Sequence, residues 1–172
     1  RVAELAAPAE LSVVFGSTHG GDAPNVIPTQ ATATATVRTP DVDCWEKAAG
    51  LVEQAIRDVV EPTGATFEVA YRTGVPPSIN ALGPTDSLEL AAHAVVGEAC
   101  TVRAEHSRGG DSFAWYARQV PASYARLGTF DPASGVPRPD IHSSGFDVDE
   151  RSIEIGVRLL VTAALAERDR LA

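Results

Sequence analysis

The chain has 172 residues, of which 44% are hydrophobic and 22% are charged, and its formal net charge at pH 7 is −9. An acidic surface opposes binding to phosphate backbones, and no apolar run approaches the length of a membrane span, so neither nucleic acid nor a membrane is an expected partner. The two cysteines are too few for a disulfide scaffold and fit a reducing cytoplasm, where we expect the protein to be located.

Three segments in the first half of the chain are predicted strands. Before them, residues 1–6 resemble the end of a helix, as expected for a piece of a longer chain. Residues 11–18 are rich in β-branched and aromatic side chains, whereas 31–39 and 66–72 show the alternation typical of strands. A glycine-rich loop around Gly20-Gly21 joins the first two. The small, hydroxyl-rich second strand predicts an open sheet edge that pairs with another chain.

One long helix is predicted between the second and third strands. Thr39 is its expected N-cap, Pro40 its first helical residue, and Pro62 and Gly64 end it. Its expected buried face is a row of apolar residues at three- and four-residue steps: Val42, Trp45, Ala49, Val52, Ile56 and Val59. The order β-β-α-β predicts a ferredoxin-like α+β domain over residues 1–76, whose N-terminal part is missing.

The second half, residues 77–172, predicts helices that alternate with short strands, as in pieces of an α/β sheet. The expected helix starts are the capping residues Asp86, Asp111 or Ser112, and Asp147, and the expected strands are 101–105 and 124–127. The last helix is predicted to bury an apolar stripe formed by Ile153, Val157, Leu160 and Ala164.

Five short fragments follow one another in a specific order: GGDAPNVIP at 20–28, VRT at 37–39, GGDSFAWY at 109–116, DIH at 140–142 and FDVDE at 146–150. This order resembles the second half of the dinuclear-metal amidohydrolases and peptidases, a family that includes aminoacylases, hippurate hydrolase, glutamate carboxypeptidases and succinyl-diaminopimelate desuccinylase. The resemblance implies a lid or dimerisation domain followed by the C-terminal α/β part of a zinc-peptidase-like catalytic domain. In that family the first half of the chain supplies the general base and most metal ligands.

The resemblance implies three site residues. Asn25 and Arg38 stand where the family binds the substrate carboxylate, and a guanidinium can grip a carboxylate with two parallel hydrogen bonds. His142 stands where the family's loop histidine binds one metal ion, with Asp140 as a candidate to orient it. The expected metal is zinc, with manganese, cobalt or nickel as alternatives. Considered without the family, the same positions suit an Asx turn, a surface cation and an exposed loop histidine.

Two functions follow from these patterns. The first is part of a metal-dependent amidohydrolase that cleaves an N-acyl amino acid or a peptide-like amide and acts as a homodimer. This chain would supply a carboxylate clamp and one metal ligand but no catalytic residue, and it would be inactive alone. The alternative is a non-catalytic ferredoxin-like binding or dimerisation module. The remaining histidines, His19, His93 and His106, are interpreted as surface or hydrogen-bonding residues.

Overall fold

The computed structural model describes residues 10–105, 107 and 109–171. The described residues form two compact units, the first made of 10–78 with 107 and 109–114, and the second of 79–105 with 115–171. The predicted helix end at residues 1–6 and the histidine at position 106 lie outside the described residues.

The first unit begins with an antiparallel β-hairpin. Strand β1 spans Ser12–Gly20 and strand β2 spans Ala31–Arg38, in a register that runs from Ser12 opposite Arg38 to Gly20 opposite Ala31. The hydroxyls of Ser17 and Thr34 face each other across the ladder at 2.6 Å. Both strands agree with the prediction, which was based on alternating and β-branched residues.

Helix α1 spans Val42–Val60, and its N-cap is Asp41 rather than the predicted Thr39. A carboxylate oxygen of Asp41 accepts the backbone N–H of Cys44 at 2.6 Å, while the hydroxyl of Thr39 accepts the backbone N–H of Asp41 at 3.2 Å. The shorter carboxylate contact satisfies an N–H of the first helical turn, so the helix begins two residues later than expected. A single 3-10 turn, Glu61–Thr63, then ends at the left-handed Gly64, as the sequence predicted.

The buried face of α1 differs from the predicted one. Its buried residues are Cys44, Ala48, Val52 and Ala55, of which the prediction contained one. Most of these side chains are small, and Leu11 and Val13 complete the core that they form. The larger predicted residues Val42, Trp45, Ile56 and Val59 are only half-buried, and Ile56 packs against the edge of this core.

Residues 66–72 are not a strand, contrary to the prediction. Their side chains nevertheless alternate as a strand's would: Phe67, Val69 and Tyr71 are half-buried and the intervening residues are exposed. Tyr71 packs against the core formed by α1 and the hairpin. The sequence pattern therefore gave the correct side-chain alternation, although the backbone lacks the ladder that defines a strand.

The second unit is built on two long helices that pack together, α2 at Leu82–Val96 and the C-terminal helix Arg151–Leu171. Helix α2 begins four residues before the predicted cap at Asp86, after Ala81, whose carbonyl accepts a hydrogen bond from the hydroxyl of Thr85 at 2.7 Å. The predicted helix at 111–120 is reduced to one turn, α3 at Ala114–Ala117, and the strands predicted at 101–105 and 124–127 are absent from the described residues. The C-terminal helix is called α4 below.

Helix α4 also buries a face that differs from the predicted one. Its buried residues are Ser152 and Ala163, and those of α2 are Ser87 and Ala91. The two helices therefore meet through small and hydroxylated side chains. The predicted stripe is exposed instead, with Ile153, Val157 and Leu160 at 63%, 57% and 65% exposure.

Candidate functional site

The loop that carries Asn25 connects the two hairpin strands, at the end where Gly20 pairs with Ala31. A Cβ at Gly20 would lie 3.1 Å from the Cβ of Ala31, so glycine permits a close approach of the strands at this point. Gly21 follows with a φ of +79°, which glycine adopts readily. Asn25 is exposed at the tip of this loop. The predicted binding residue is thus accessible to a ligand.

Arg38 lies at the other end of the hairpin, where it ends β2 opposite Ser12. It is exposed. The seven residue steps from Ala31 to Arg38 correspond to roughly 23 Å at strand spacing. The hairpin therefore places Arg38 far from the start of the loop that bears Asn25, and the ladder alone does not bring these two predicted residues together.

His142 lies in a tight turn in the second unit, and its side chain is exposed. The side chain of Asp140 accepts the backbone N–H of His142 at 2.9 Å, and the carbonyl of Asp140 accepts the N–H of Ser143 at 3.0 Å. Phe146 then donates its backbone N–H to the carbonyl of Ser143 at 3.0 Å. Asp140 was expected to orient the imidazole, whereas the contact found here is with the backbone of His142. It shapes the turn that presents the ring.

A cleft of about 510 Å³ lies beside this turn, within the second unit. Its walls come from two segments, residues 129–139 and 145–149, and include the carboxylates of Asp131, Asp147 and Asp149. Across its base, Asp149 donates its backbone N–H to the carbonyl of Thr129 at 2.7 Å. This contact brings together the two ends of the loop that carries His142.

The guanidinium of Arg151 joins the same two ends. Its Nε lies 2.9 and 2.8 Å from the two carboxylate oxygens of Asp149, and its Nη2 lies 2.6 Å from Oδ2 of Asp131. Hydrogen bonding from Arg151 lowers the pKa of Asp149 below its ordinary value, so that carboxylate remains charged. No short motif indicates this cluster, because Asp131 lies twenty positions before Arg151.

The described residues contain no group of three or more His, Cys, Asp or Glu side chains arranged to hold a metal ion. His142 would supply one imidazole donor, whereas a zinc site needs at least three protein ligands. Another histidine, His93, has its Nε2 3.0 Å from the hydroxyl of Thr101 and 3.9 Å from Glu89, in keeping with the hydrogen-bonding role predicted for it. The described part of the chain therefore does not form a complete metal site.

Comparison with known proteins identifies relatives that match most of the chain. The sequence profile of the peptidase dimerisation domain, M20_dimer, matches residues 2–64. A Rhodococcus jostii protein provisionally named glutamate–cysteine ligase 2-3 is 34% identical over 155 residues, which are 90% of this chain and 19% of the relative. A Synechocystis protein provisionally named hydrolase sll0100 is 35% identical over 87% of this chain and 38% of its own length. The thermostable carboxypeptidase 1 of Saccharolobus solfataricus is 29% identical over 80% of this chain and 34% of its own length.

Among solved structures, the Bacillus subtilis YXEP protein, described as a dinuclear metal binding peptidase from the M20 family, shares the fold. The TM-score is 0.77 at 23% identity, and the match covers 95% of this chain and 44% of that one. This chain thus spans well under two thirds of the length of these relatives. The comparisons confirm the family resemblance and the α+β dimerisation fold inferred from the sequence. In the described residues, no helix has the length and apolar character needed to cross a membrane.

Proposed function

Because this chain carries the dimerisation domain of the M20 peptidases, we propose that it is part of a metal-dependent amidohydrolase that cleaves an N-acyl amino acid or a peptide-like amide. The observation that carries the proposal is the match over 80–87% of this chain to relatives named as a hydrolase and a carboxypeptidase. The ligase name of the Rhodococcus protein belongs to a protein of which this chain covers 19%, and no site described here favours that chemistry.

In this proposal His142 supplies one metal ligand, and the remaining ligands and the general base come from outside the chain. Its exposed position in a turn held by Asp140 supports this role, because a ligand must be accessible and restrained. The metal is zinc, or else manganese, cobalt or nickel, since neutral imidazole suits all four. It would polarise the scissile carbonyl as a Lewis acid.

Asn25 and Arg38 recognise the carboxylate of the substrate in this proposal. Their positions at opposite ends of one hairpin make it difficult for one chain to supply both to the same carboxylate. A homodimer removes the difficulty, because the loop of one subunit and the strand end of the other can face one site. We therefore propose that the dimer, which the dimerisation-domain match supports, is needed for substrate binding.

The protein is proposed to function in the reducing cytoplasm. Neither Cys44, which is buried, nor Cys100, which is exposed, forms a disulfide, and an exposed thiol persists best where disulfides do not form.

The proposal is tested by measuring hydrolysis of a panel of N-acyl amino acids. The complete protein that contains this chain should hydrolyse at least one of them with added zinc or manganese and lose activity on chelation. The 172-residue chain alone should show no turnover with any metal, because a single histidine cannot hold a hydrolytic metal beside a base.

Metal-dependent turnover by the purified chain alone would contradict the proposal that the remaining metal ligands and the general base come from outside the chain. The alternative, a non-catalytic binding or dimerisation module, predicts that neither the complete protein nor the chain hydrolyses any amide, while both still form dimers in sedimentation measurements.

A further inference from the structure

The loop that bears His142 has little regular structure of its own. Between Thr129 and Asp149 it contains one 3-10 turn, Pro132–Ser134, and isolated turns around His142. Most of its residues are exposed, so hydrophobic burial contributes little to fixing its path. The position of the loop therefore depends on how its two ends are held.

Arg151 holds both ends through one planar group. It contacts both carboxylate oxygens of Asp149, which lies two residues away, and it reaches back twenty residues to Asp131. Exposed ion pairs contribute little to stability as a rule. Here, however, one guanidinium forms a bidentate pair with Asp149 and a second pair with Asp131. The side chains of Asp131 and Asp149 are only 33% and 22% exposed, whereas the side chain of Arg151 is 71% exposed.

A backbone hydrogen bond and the ion pairs of Arg151 lie together at the base of the loop. The hydrogen bond from Asp149 to the carbonyl of Thr129 lies beside the Arg151 cluster, so the backbone and the ion pairs close the loop at the same place. Closing a loop at its base reduces the conformations available to its tip. The tip here is the turn at Asp140–Ser143, which presents His142.

We propose that Arg151 is a positioning residue for His142: by joining Asp131 to Asp149 it fixes the base of the loop and thereby the place of the imidazole. The inference rests on the proposed function of His142 as a metal ligand. Arg151 itself contacts neither metal nor substrate in this proposal. Groups that orient metal ligands without touching the metal commonly change metal affinity by about 10- to 100-fold.

The first measurement is amide hydrogen exchange in the complete protein, with Arg151→Gln compared with the parent. Exchange should rise by roughly tenfold in residues 132–148, because opening of the loop base becomes easier. Arg151→Lys should restore part of the protection, since an ammonium can pair with one carboxylate at a time but cannot form the planar fork. Arg158→Gln is the matched control, because Arg158 pairs within the same helix with Glu154 at 3.7 Å. It should leave the loop unchanged.

The second measurement is zinc affinity of the same variants, by competition with a chelator. Arg151→Gln should weaken zinc binding by about 10- to 100-fold, and activity should return at saturating zinc because no reacting group has been removed. Unchanged loop exchange in Arg151→Gln would overturn the inference. So would unchanged zinc affinity in a protein whose zinc is lost on His142→Ala.

The experiments test the proposed function and this inference separately. If His142→Ala leaves zinc binding intact, His142 is not a ligand, and the positioning role assigned to Arg151 is rejected with it. The exchange measurement still reports whether Arg151 holds the loop, so a failure of the ligand assignment can be distinguished from a failure of the clamp.

Discussion

The hydroxyl of Ser87 on α2 donates a 2.5 Å hydrogen bond to Oε2 of Glu167 on α4. Ser87 is buried where the two helices meet, and Glu167 also pairs with Arg170 one turn further along α4. A single carboxylate thus joins the two main helices of the second unit and accepts bonds from a neutral and a charged donor. Such an arrangement favours the ionised form.

The stability of the second unit should therefore decrease in acid as Glu167 takes up a proton. Hydrogen bonds from Arg170 and Ser87 lower the pKa of Glu167 to about 2, against an ordinary value of 4.5. A lowered folded-state pKa stabilises the protein above 4.5, and that contribution is lost as the pH falls from 4.5 towards 2. Melting temperatures measured across this range should fall less steeply for Glu167→Gln than for the parent. Glu154→Gln is the control, and parallel curves for all three proteins would contradict the prediction.

If the proposed function holds, Arg38→Ala in the complete protein should lower kcat/KM for substrates that carry a free carboxylate by roughly 10- to 100-fold, the usual loss for a charge-assisted pair. The corresponding amides or esters should lose much less, because they offer no negative charge to the guanidinium. The measurement is kcat/KM for matched acid and amide substrates. Equal losses for both would show that Arg38 supports the fold instead of binding the carboxylate.

Mixed dimers should recover activity that each variant lacks. Asn25→Ala and Arg38→Ala homodimers are each expected to be impaired, since every site lacks one of the two contacts. If the two residues of a site come from different subunits, a dimer with one chain of each variant has one site lacking both residues and one site that is intact. Unfolding and refolding the two variants together should then restore about a quarter of the parent activity, from random pairing into half heterodimers with one working site each. No recovery would mean that both residues of a site come from one chain.

If His142 is the proposed metal ligand, His142→Ala should lower metal content and activity together in the complete protein while leaving the fold intact. The loss of activity should be at least roughly 100-fold, because removing a ligand costs more than removing a group that orients one. Metal content is measured by elemental analysis after dialysis, and folding by circular dichroism. His93→Gln is the matched control, since the ring of His93 contacts Thr101 and Glu89. Full metal content in His142→Ala would refute the ligand assignment.

The sequence predicted the hairpin and the position of α1 well, because strand alternation and the breakers Pro62 and Gly64 are local signals. It predicted the buried faces of α1 and α4 poorly. In both helices the buried alanines, Ala48 and Ala163, lie one position before the alanines of the predicted faces, Ala49 and Ala164. Which face is buried depends on the neighbouring element, and periodicity alone does not contain that information.

In the candidate site, too, contacts between neighbouring residues could be predicted from the sequence, whereas contacts between distant residues could not. The turn at Asp140 and His142 depends on residues two positions apart, so short motifs indicate it. The contact between Arg151 and Asp131 depends on a loop of twenty residues returning to its start, and no spacing rule predicts such a return. The separation of Asn25 from Arg38 follows from the strand register, which the structure shows and the motif order does not.

The exposed side of α4 has a practical consequence for the behaviour of this chain in solution. Five large aliphatic residues there are 47–65% exposed: Ile153, Val157, Leu160, Val161 and Leu165. Sulfate and phosphate at high concentration strengthen the association of apolar surfaces, so they should precipitate the chain earlier than a protein of equal charge with an ordinary surface. The net charge of −9 acts in the opposite direction, and its repulsion extends furthest in dilute buffer. Low ionic strength near neutral pH is therefore the condition under which concentrated solutions of this chain should remain clear longest.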